Sequence, residues 1–381
     1  MKNPQSPKSS LSKLFSTKSF KSKALTGLST GLACMAAVTL ATPIQAAVDF
    51  SGKRVEWIIP FKEGGGSDTW ARFYAPMISK NLPGQPTVVV KNIPGGGSTK
   101  GANQFQRRAK KNGLNILGTS GSTQFPYLLG DKRVKYEYKD WNVVMATPTG
   151  GVFYVSPSLG INSAEDLVKL RGKELKYGSQ GATSLDLVPL LALDLLDIDV
   201  QAIFGMKGRG AGRLAFERGE VNIDYQTSSA FLKKVTPLVT EGKAIPIMTW
   251  GVMDQNGQLQ RDPTFPELPH FAEVYQMIHG KQPEGTAFNV WKSFFVAGFA
   301  AQKGIFLPKG TDQDVIETWR KAAAETVASD EFGARSEKVL GKYPQAVMGD
   351  AVKAFEVALN ISDADRQWVR DWLTKKYNVR F

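Results

Sequence analysis

Two glycine clusters carry the chemistry that can be read from this chain. One is Gly64-Gly65-Gly66 followed by Ser67 and Asp68, and the other is Gly95-Gly96-Gly97 followed by Ser98 and Thr99. Glycine lets a backbone take positive φ and approach a ligand closely. A hydroxyl or carboxylate just after it is N-cap chemistry, so each cluster predicts a loop that opens a helix. The first N–H groups of a helix lack partners and sit at a dipole end worth roughly half a charge, which suits an anion. Asp68 either caps its helix or meets the ligand, and the loop shape serves function in both cases. Arg72 reads as a structural partner for a carboxyl group. Nucleotide phosphate is the rival anion, but Gly64 to Thr69 has no final glycine at the required offset. Gly96 to Gly101 is followed by Ala102 rather than a lysine.

Catalytic groups are scarce by comparison. The chain has two histidines, His270 and His279, both beside a proline-rich segment and without metal-ligand spacing. They read as surface or helix-end residues. No Gly-x-Ser-x-Gly elbow is present, and the one cysteine, Cys34, lies near the N-terminus. The expectation is a binding protein with no cofactor, no metal and no catalytic residues, with an exported hydrolase as the distant alternative.

These loops need a scaffold, and the flanking residues supply one. Val55 to Ile59 is a short apolar run ended by Pro60, which reads as a buried strand. Trp70, Phe73, Tyr74, Met77 and Ile78 recur at helical spacing after the first glycines, although Pro76 predicts a kink or a shortened helix. Thr87 to Lys91 is a second strand, Asn92 to Thr99 the second loop, and Lys100 to Lys110 its helix. Leu114 to Gly118 is the third strand. Strand, glycine loop, helix and strand again imply right-handed crossovers and a parallel sheet. Ligands then sit beyond the carboxyl ends of the strands, where both glycine loops fall. Gly118 to Gln124 falls there too, with Ser120 among its hydroxyls, either as a hydrogen bonder or as part of a solvated turn.

A second set of alternating elements starts at Gly151. Strands are predicted at Gly151 to Ser156, Leu175 to Gly178, Val200 to Phe204, Glu220 to Tyr225 and Ala244 to Thr249. A short helix opens at Ser163. Helices follow at Leu185 to Leu196 and at Gly212 to Arg218. The loop Ser179-Gln180-Gly181-Ala182-Thr183-Ser184 offers small and hydroxyl residues, and Lys207-Gly208-Arg209-Gly210 offers charge. Lys207 and Arg209 fit either an anionic ligand or ordinary surface charge, with the surface reading preferred. Gln255 to Pro269 is polar and proline-rich, as an insertion or linker would be. Helices are predicted at Phe271 to Ile278, Ile316 to Val327, Asp330 to Leu340 and Ala351 to Leu373. Gln302 to Gly310 reads as a turn, and strands near Ser293–Val296 and Gln345–Met348 would return to the first sheet. Trp57, Trp250 and Trp291 read as core packing.

The 381 residues are 42% hydrophobic and 22% charged, an ordinary globular composition long enough for two domains. Six lysines from Lys2 to Lys23, an apolar run to Leu40 and the small residues before Ala46 make a secretory signal peptide over 1–46. Lipidation at Cys34 is a minor alternative. The headline charge of +13 loses those six lysines, leaving 42 basic against 35 acidic residues and a net +7. That charge is dispersed, and no basic run or nucleic-acid motif accompanies it. No later segment is apolar enough to span a bilayer.

Several stretches together resemble one family. Ile59-Pro60-Phe61 with Gly64-Gly65-Gly66-Ser67-Asp68 and Arg72 is similar to the opening of the extracytoplasmic solute receptors of tripartite tricarboxylate transporters, the Bug/TctC family. Val88 to Asn92 with Pro94-Gly95-Gly96-Gly97 and Gly101-Ala102 resembles that family's second element. Tyr138 to Trp141, Pro263 to Phe265, Trp291 and Leu307 to Thr311 resemble its later pattern. The resemblance implies an α/β fold of the two-lobed periplasmic binding protein type (type II, Venus flytrap) with hinge-connected βαβ domains. Lobe 1 would be 47–149 and 251–381, and lobe 2 would be 150–250. It implies a monomer that captures a small organic carboxylate for the membrane components of such a transporter, with no nucleic-acid partner. A receptor reporting to a sensor kinase is the alternative. Ligand contacts carried over or expected at these loops are Phe61, Gly65, Gly66, Ser67, Asp68, Asn92, Gly95, Gly96, Gly97 and Ser98, then Ser120, Ser179, Gly181, Thr183, Ser184, Lys207 and Gly208. The family's histidine after the second-lobe loop is absent near Thr183–Leu187, and its Pro-Tyr before Lys-Gly is Gly205-Met206. The variable end of the ligand therefore has no assignment.

Overall fold

The computed structural model describes residues 48–254 and 256–381, so the expected leader over 1–46, with Cys34, lies outside the described residues. The strand predicted before Pro60 is β1 (Arg54–Ile59). It pairs in parallel with β2 (Thr87–Asn92) on one side and β3 (Asn115–Gly118) on the other. Between them run α1 (Gly66–Asn81) and α2 (Thr99–Arg108). α1 starts at Gly66 with Gly65 as N-cap, earlier than Ser67 or Asp68. It also continues through Pro76 for its full 16 residues. Pro76 lies on the exposed side, where water can satisfy the carbonyl it strands.

The stretch after β3 is not wholly a loop. Ser120 caps α3 (Gly121–Leu128), its Oγ accepting from the Ser122 N–H at 3.1 Å in a capping box with Thr123. β4 (Asn142–Thr147) then leads out of the sheet. The strand that returns lies at β12 (Lys303–Leu307), inside the segment expected to be a turn. It pairs antiparallel with β3 and β4. The run Ser293–Val296 is part of the helix Thr286–Phe299 instead. Its Phe-Phe-Val sequence suits a strand, but Val290, Trp291, Phe294, Phe295 and Ala297 are buried at helical spacing, and tertiary burial overrides β propensity. β13 (Ala346–Val347) completes the order β13-β4-β12-β3-β1-β2.

The second sheet takes β5 (Gly151–Val155), β6 (Lys176–Ser179), β7 (Gln201–Phe204), β8 (Ile223–Thr227) and β9 (Ile245–Thr249) in the order β7-β6-β8-β5-β9. β6 is parallel to β7 and β8, and β5 is antiparallel to β8 and β9. Its crossovers are α4 (Leu187–Leu195) and α5 (Arg209–Glu217). The chain thus forms two α/β lobes. It passes between them at 148–150 and again between Thr249 and Lys303.

Each sheet is covered on both faces. Trp57, Trp70, Tyr74 and Trp319 fill the layer under α1 and the helix Gln313–Ala328, and Phe105, Trp141, Phe306 and Phe355 fill the opposite one. A third core joins α3, α4, the helices Phe271–His279 and Thr286–Phe299, and the last helix, Asp363–Tyr377. The long C-terminal helix predicted over 351–373 is two helices, Met348–Leu359 and Asp363–Tyr377. They are separated where Ser362 Oγ caps the second by accepting from the Asp365 N–H. The proline-rich insertion carries a small antiparallel hairpin, β10 (Val252–Met253) with β11 (Leu259–Gln260). Among the described residues no helix is long and apolar enough to cross a membrane. Trp57, Trp250 and Trp291 are fully buried.

Candidate functional site

The β1–α1 loop is held in shape by a polar knot behind it. The Asp68 carboxylate accepts from the Gly64 N–H at 3.0 Å, Arg72 Nε at 2.9 Å and Asn92 Nδ2 at 3.0 Å. Asn92 Nδ2 also donates to the Phe61 carbonyl, and its Oδ1 accepts from Arg72. Asp68, Asn92 and Arg72 therefore tie the two first-lobe loops to each other, at the base of the site rather than on its surface.

Forward of the knot, this loop runs directly against the second lobe. The Lys62 N–H donates to the Lys207 carbonyl at 3.0 Å. A Cβ built on Gly66 would stand 2.4 Å from Thr227 Oγ1, so only glycine allows this approach. Gln180 Nε2 and the Leu185 N–H both donate to Ser122 Oγ, at 2.8 and 3.2 Å, adding a second seam. What remains between the lobes is a cavity of about 30 Å³. Phe61, Gly65, Gly66, Ser67, Ser120 and Gly208 line it, together with Ser122, Gln180, Arg209, Thr227 and Gln302. It has room for about two waters.

Arg209 corrects the surface reading given to it. It is 8% exposed, donates to Asp224, to the Gly178 carbonyl at 2.6 Å and to the Tyr225 carbonyl at 3.0 Å, and lies against the rings of Tyr177 and Tyr225. Burial opposes its charge, yet Asp186 and the tyrosines around it hold the guanidinium above its ordinary value. Lys207, two residues earlier, is exposed as expected of surface charge. On the opposite side of the cavity, Gln302 accepts from Lys303 Nζ. Lys303 is fully buried on β12, and desolvation pushes its ammonium down to about 7.

The second glycine loop opens onto a different space, a groove of about 560 Å³. Gly95, Gly96 and Gly97 form one wall, Gly181 and Thr183 another, and Lys207 a third. Four successive residues here have positive φ: Gly95 at 129°, Gly96 at 61°, Gly97 at 66° and Ser98 at 94°. Such a run turns the backbone sharply, and the Ser98 and Lys100 N–H groups both donate to the Gly95 carbonyl, at 3.1 and 3.3 Å. Ser98 pays strain to join it, and its buried Oγ donates to the Ser122 carbonyl at 2.9 Å. At the groove floor Arg133 donates to Thr183 Oγ1 at 2.9 Å, and Thr183 donates to Asp131 at 2.7 Å. Burial works against the Asp131 charge, but Arg133 beside it holds the carboxyl below its ordinary range.

Of the residues singled out from the sequence, Asp68, Asn92, Ser98, Ser179 and Ser184 lie outside the lining of both spaces. Ser179 Oγ donates to Asp186, and Ser184 Oγ donates to the Gly181 carbonyl, which folds the 179–184 loop on itself. Thr227 and Gln302 were not foreseen, Ser122 was weighed only as one of the hydroxyls of Gly118 to Gln124, and the burial of Arg209 was not expected. The Ser120-x-x-Thr123 spacing is a capping signature that places Ser122 in the first turn of α3 beside the cleft. Nothing local marks Thr227 or Gln302. His270 and His279 bound the helix Phe271–His279, His270 as its N-cap, far from these loops in the chain. Among the described residues no group of three His, Cys, Asp or Glu could hold a metal ion.

Comparison with known proteins adds the relationship. No family model matches the chain. The BugT protein of Bordetella pertussis is 24% identical over 347 residues, covering 88% of this chain and 92% of its own. A UPF0065 protein from the tcbD-tcbE intergenic region of Pseudomonas sp. strain P51 is 22% identical over 301 residues, covering 77% and 80%. Among solved structures, the periplasmic binding protein BugD superposes with a TM-score of 0.62 at 22% identity, over 87% of this chain and 99% of its own. The chain is similar in sequence to Bug-type proteins and shares the fold of a periplasmic binding protein. Rhodopseudomonas palustris MatC with bound malate gives a TM-score of 0.62 at 19% identity, over 86% and 98%. An R. palustris protein with adipate gives 0.63 at 18% identity, over the same shares. These solved structures share the chain's fold.

Proposed function

We propose that this chain is an exported solute-binding protein that captures a small organic carboxylate in the periplasm. The observation that carries the proposal is the convergence of two first-lobe glycine loops and two second-lobe loops on one interlobe space. Glycines and hydroxyl residues make up much of its lining, and nucleophile–base pairs are missing from it among the described residues. Binding, not turnover, is what such a surface supports. The malate and adipate of the two R. palustris structures fit the same ligand class.

The lobes divide at the two crossings, 148–150 and 249–303, and closure about them brings the loops together on the ligand. The inner cavity of about 30 Å³ is smaller than any dicarboxylate, so entry requires the Lys62–Lys207 and Gln180–Ser122 contacts to part. Gly65, Gly66, Ser67, Ser120 and Gly208 then receive one acid group, while Gly95, Gly96, Gly97, Gly181, Thr183 and Lys207 face the rest of the molecule. Asp68, Asn92, Ser98, Ser179 and Ser184 hold those loops in place. Residues 1–46 serve as the signal peptide. The loaded monomer delivers its cargo to the membrane components of a tripartite tricarboxylate transporter.

Calorimetric titration of the chain from Ala47 with malate, succinate, adipate and citrate tests this. Micromolar or tighter binding of at least one acid is the expected result, with no turnover of ester or phosphoester substrates. Failure of every carboxylate to bind overturns it.

A further inference from the structure

The groove beside the second glycine loop is also lined by residues at the end of the last helix and just beyond it. Tyr377, Asn378, Val379 and Arg380 line it opposite Gly95–Gly97. This segment is tied down at several points. Asn378 takes a left-handed conformation at φ 54°, its N–H bonded back to the carbonyl of Thr374, which turns the chain out of its helix. Thr374 Oγ1 donates to the Val379 carbonyl at 3.0 Å. The Tyr377 ring stands edge-on to Phe204, centroids 5.5 Å apart, and Lys376 is paired with Asp194 of α4. The Arg370 guanidinium covers the Phe381 ring at 4.7 Å. The segment's own contacts, to Phe204 and Asp194, are with second-lobe residues, while the last helix is also held by Ser293 Oγ, which donates to Asp365 at 2.7 Å.

Charge in the groove is one-sided. Arg133 is spent on Asp131 and Thr183. Lys132, Lys207 and Arg380 also line the groove, and none of them makes an ion pair among the described residues. The inner cavity and the groove adjoin: Gln180 lines both, and Lys207 in the groove is followed by Gly208 in the cavity. An acid held at the inner loops would therefore extend outward past Gln180 toward these cations.

We propose that Tyr377–Arg380 is the outer wall of the ligand site and that Arg380, with Lys132 and Lys207, binds the far carboxylate of an elongated dicarboxylate. The assignment rests on the carboxylate reading above and adds a length preference to it. Arg380 acts as a specificity residue, because it lines the groove and not the inner cavity and its guanidinium is always charged.

Succinate, adipate and suberate, titrated by calorimetry into the chain from Ala47 and into its Arg380→Glu and Arg380→Lys variants, test the assignment. Arg380 is exposed, so both variants keep the wild-type melting temperature. The wild type binds adipate or suberate more tightly than succinate. Arg380→Glu weakens the longer acids by about tenfold and succinate by less than about twofold, and Arg380→Lys restores most of the loss. Equal losses for all three acids, or wild-type affinity in Arg380→Glu, overturn the role of Arg380 and leave the carboxylate reading intact. Binding of succinate alone by the wild type also removes it. If none of the three acids, nor malate or citrate, binds the wild type, the carboxylate reading itself falls.

Discussion

The two glycine loops of the first lobe look alike in sequence and differ in what their glycines are for. At Gly66 the backbone is ordinary, and glycine is required because Thr227 of the other lobe comes within 2.4 Å of where a Cβ would be. At Gly97 the reverse holds. A Cβ there would meet nothing nearer than the Gln180 carbonyl at 3.7 Å, but φ is +66°. The first loop is a contact surface between lobes, and the second is a shaped turn facing open space. A glycine cluster before a helix thus has two separate physical justifications, close approach and left-handed backbone, and the residue type alone does not distinguish them.

The side of the site under the first loop also carries the larger energetic liability. Lys303, whose Nζ donates to the cavity-lining Gln302, is buried with its ammonium pushed from 10.5 down to about 7. The folded chain therefore sheds a proton that the unfolded chain keeps between about pH 7 and 10.5. Stability contributed at this position rises with pH across that window and is lowest, and flat, below about pH 7. Lys303→Met is expected to stabilise the protein at neutral pH by roughly 1–4 kcal/mol and to flatten the rise toward pH 10. Urea unfolding at several pH values measures both. Unchanged stability at neutral pH would show that the ammonium is solvated or paired after all.

The glycine contrast itself can be broken by a pair of cycles. Gly66→Ala should cost about 1–3 kcal/mol through overpacking against Thr227, and Thr227→Gly in the same chain should recover most of it. Gly97→Ala should cost only about 1 kcal/mol through its left-handed backbone, and no substitution at Gln180 should recover it. Denaturant midpoints of the six single and double variants decide the matter. Rescue of Gly97→Ala, or lack of rescue at Gly66, would reverse the reading of the two loops.

Most of the scaffold was legible because its signals are local. Val55–Ile59, Pro60 and the helical spacing from Trp70 to Ile78 define one crossover unit, and Thr87–Val90 with the second glycines define the next. The second sheet followed from the same alternation. What failed was decided by packing. Ser293–Val296 has the composition of a strand, yet it is helical because Trp291, Phe294 and Phe295 are buried together between α3 and α4. β12 was hidden in Gln302–Gly310, where Lys303 and two glycines mask a fully buried strand. At the site, the loops were visible but the division of labour within them was not. Asp68 and Asn92 support the loop from behind, Arg209 is buried in a second-lobe network of Asp186, Asp224 and two tyrosines, and Tyr377–Arg380 reaches the groove from the far end of the chain. Each of these depends on long-range contacts that no local pattern encodes.

The central claim is that the two lobes close on a carboxylate between the glycine loops. Small-angle X-ray scattering of the chain from Ala47, freed of bound acids by unfolding and refolding, measures it directly when the acid that binds tightest is added back. The account predicts a smaller radius of gyration with the acid than without it, and loss of that compaction in Gly66→Ala. The same radius of gyration in both states, with the acid bound in both, would contradict it.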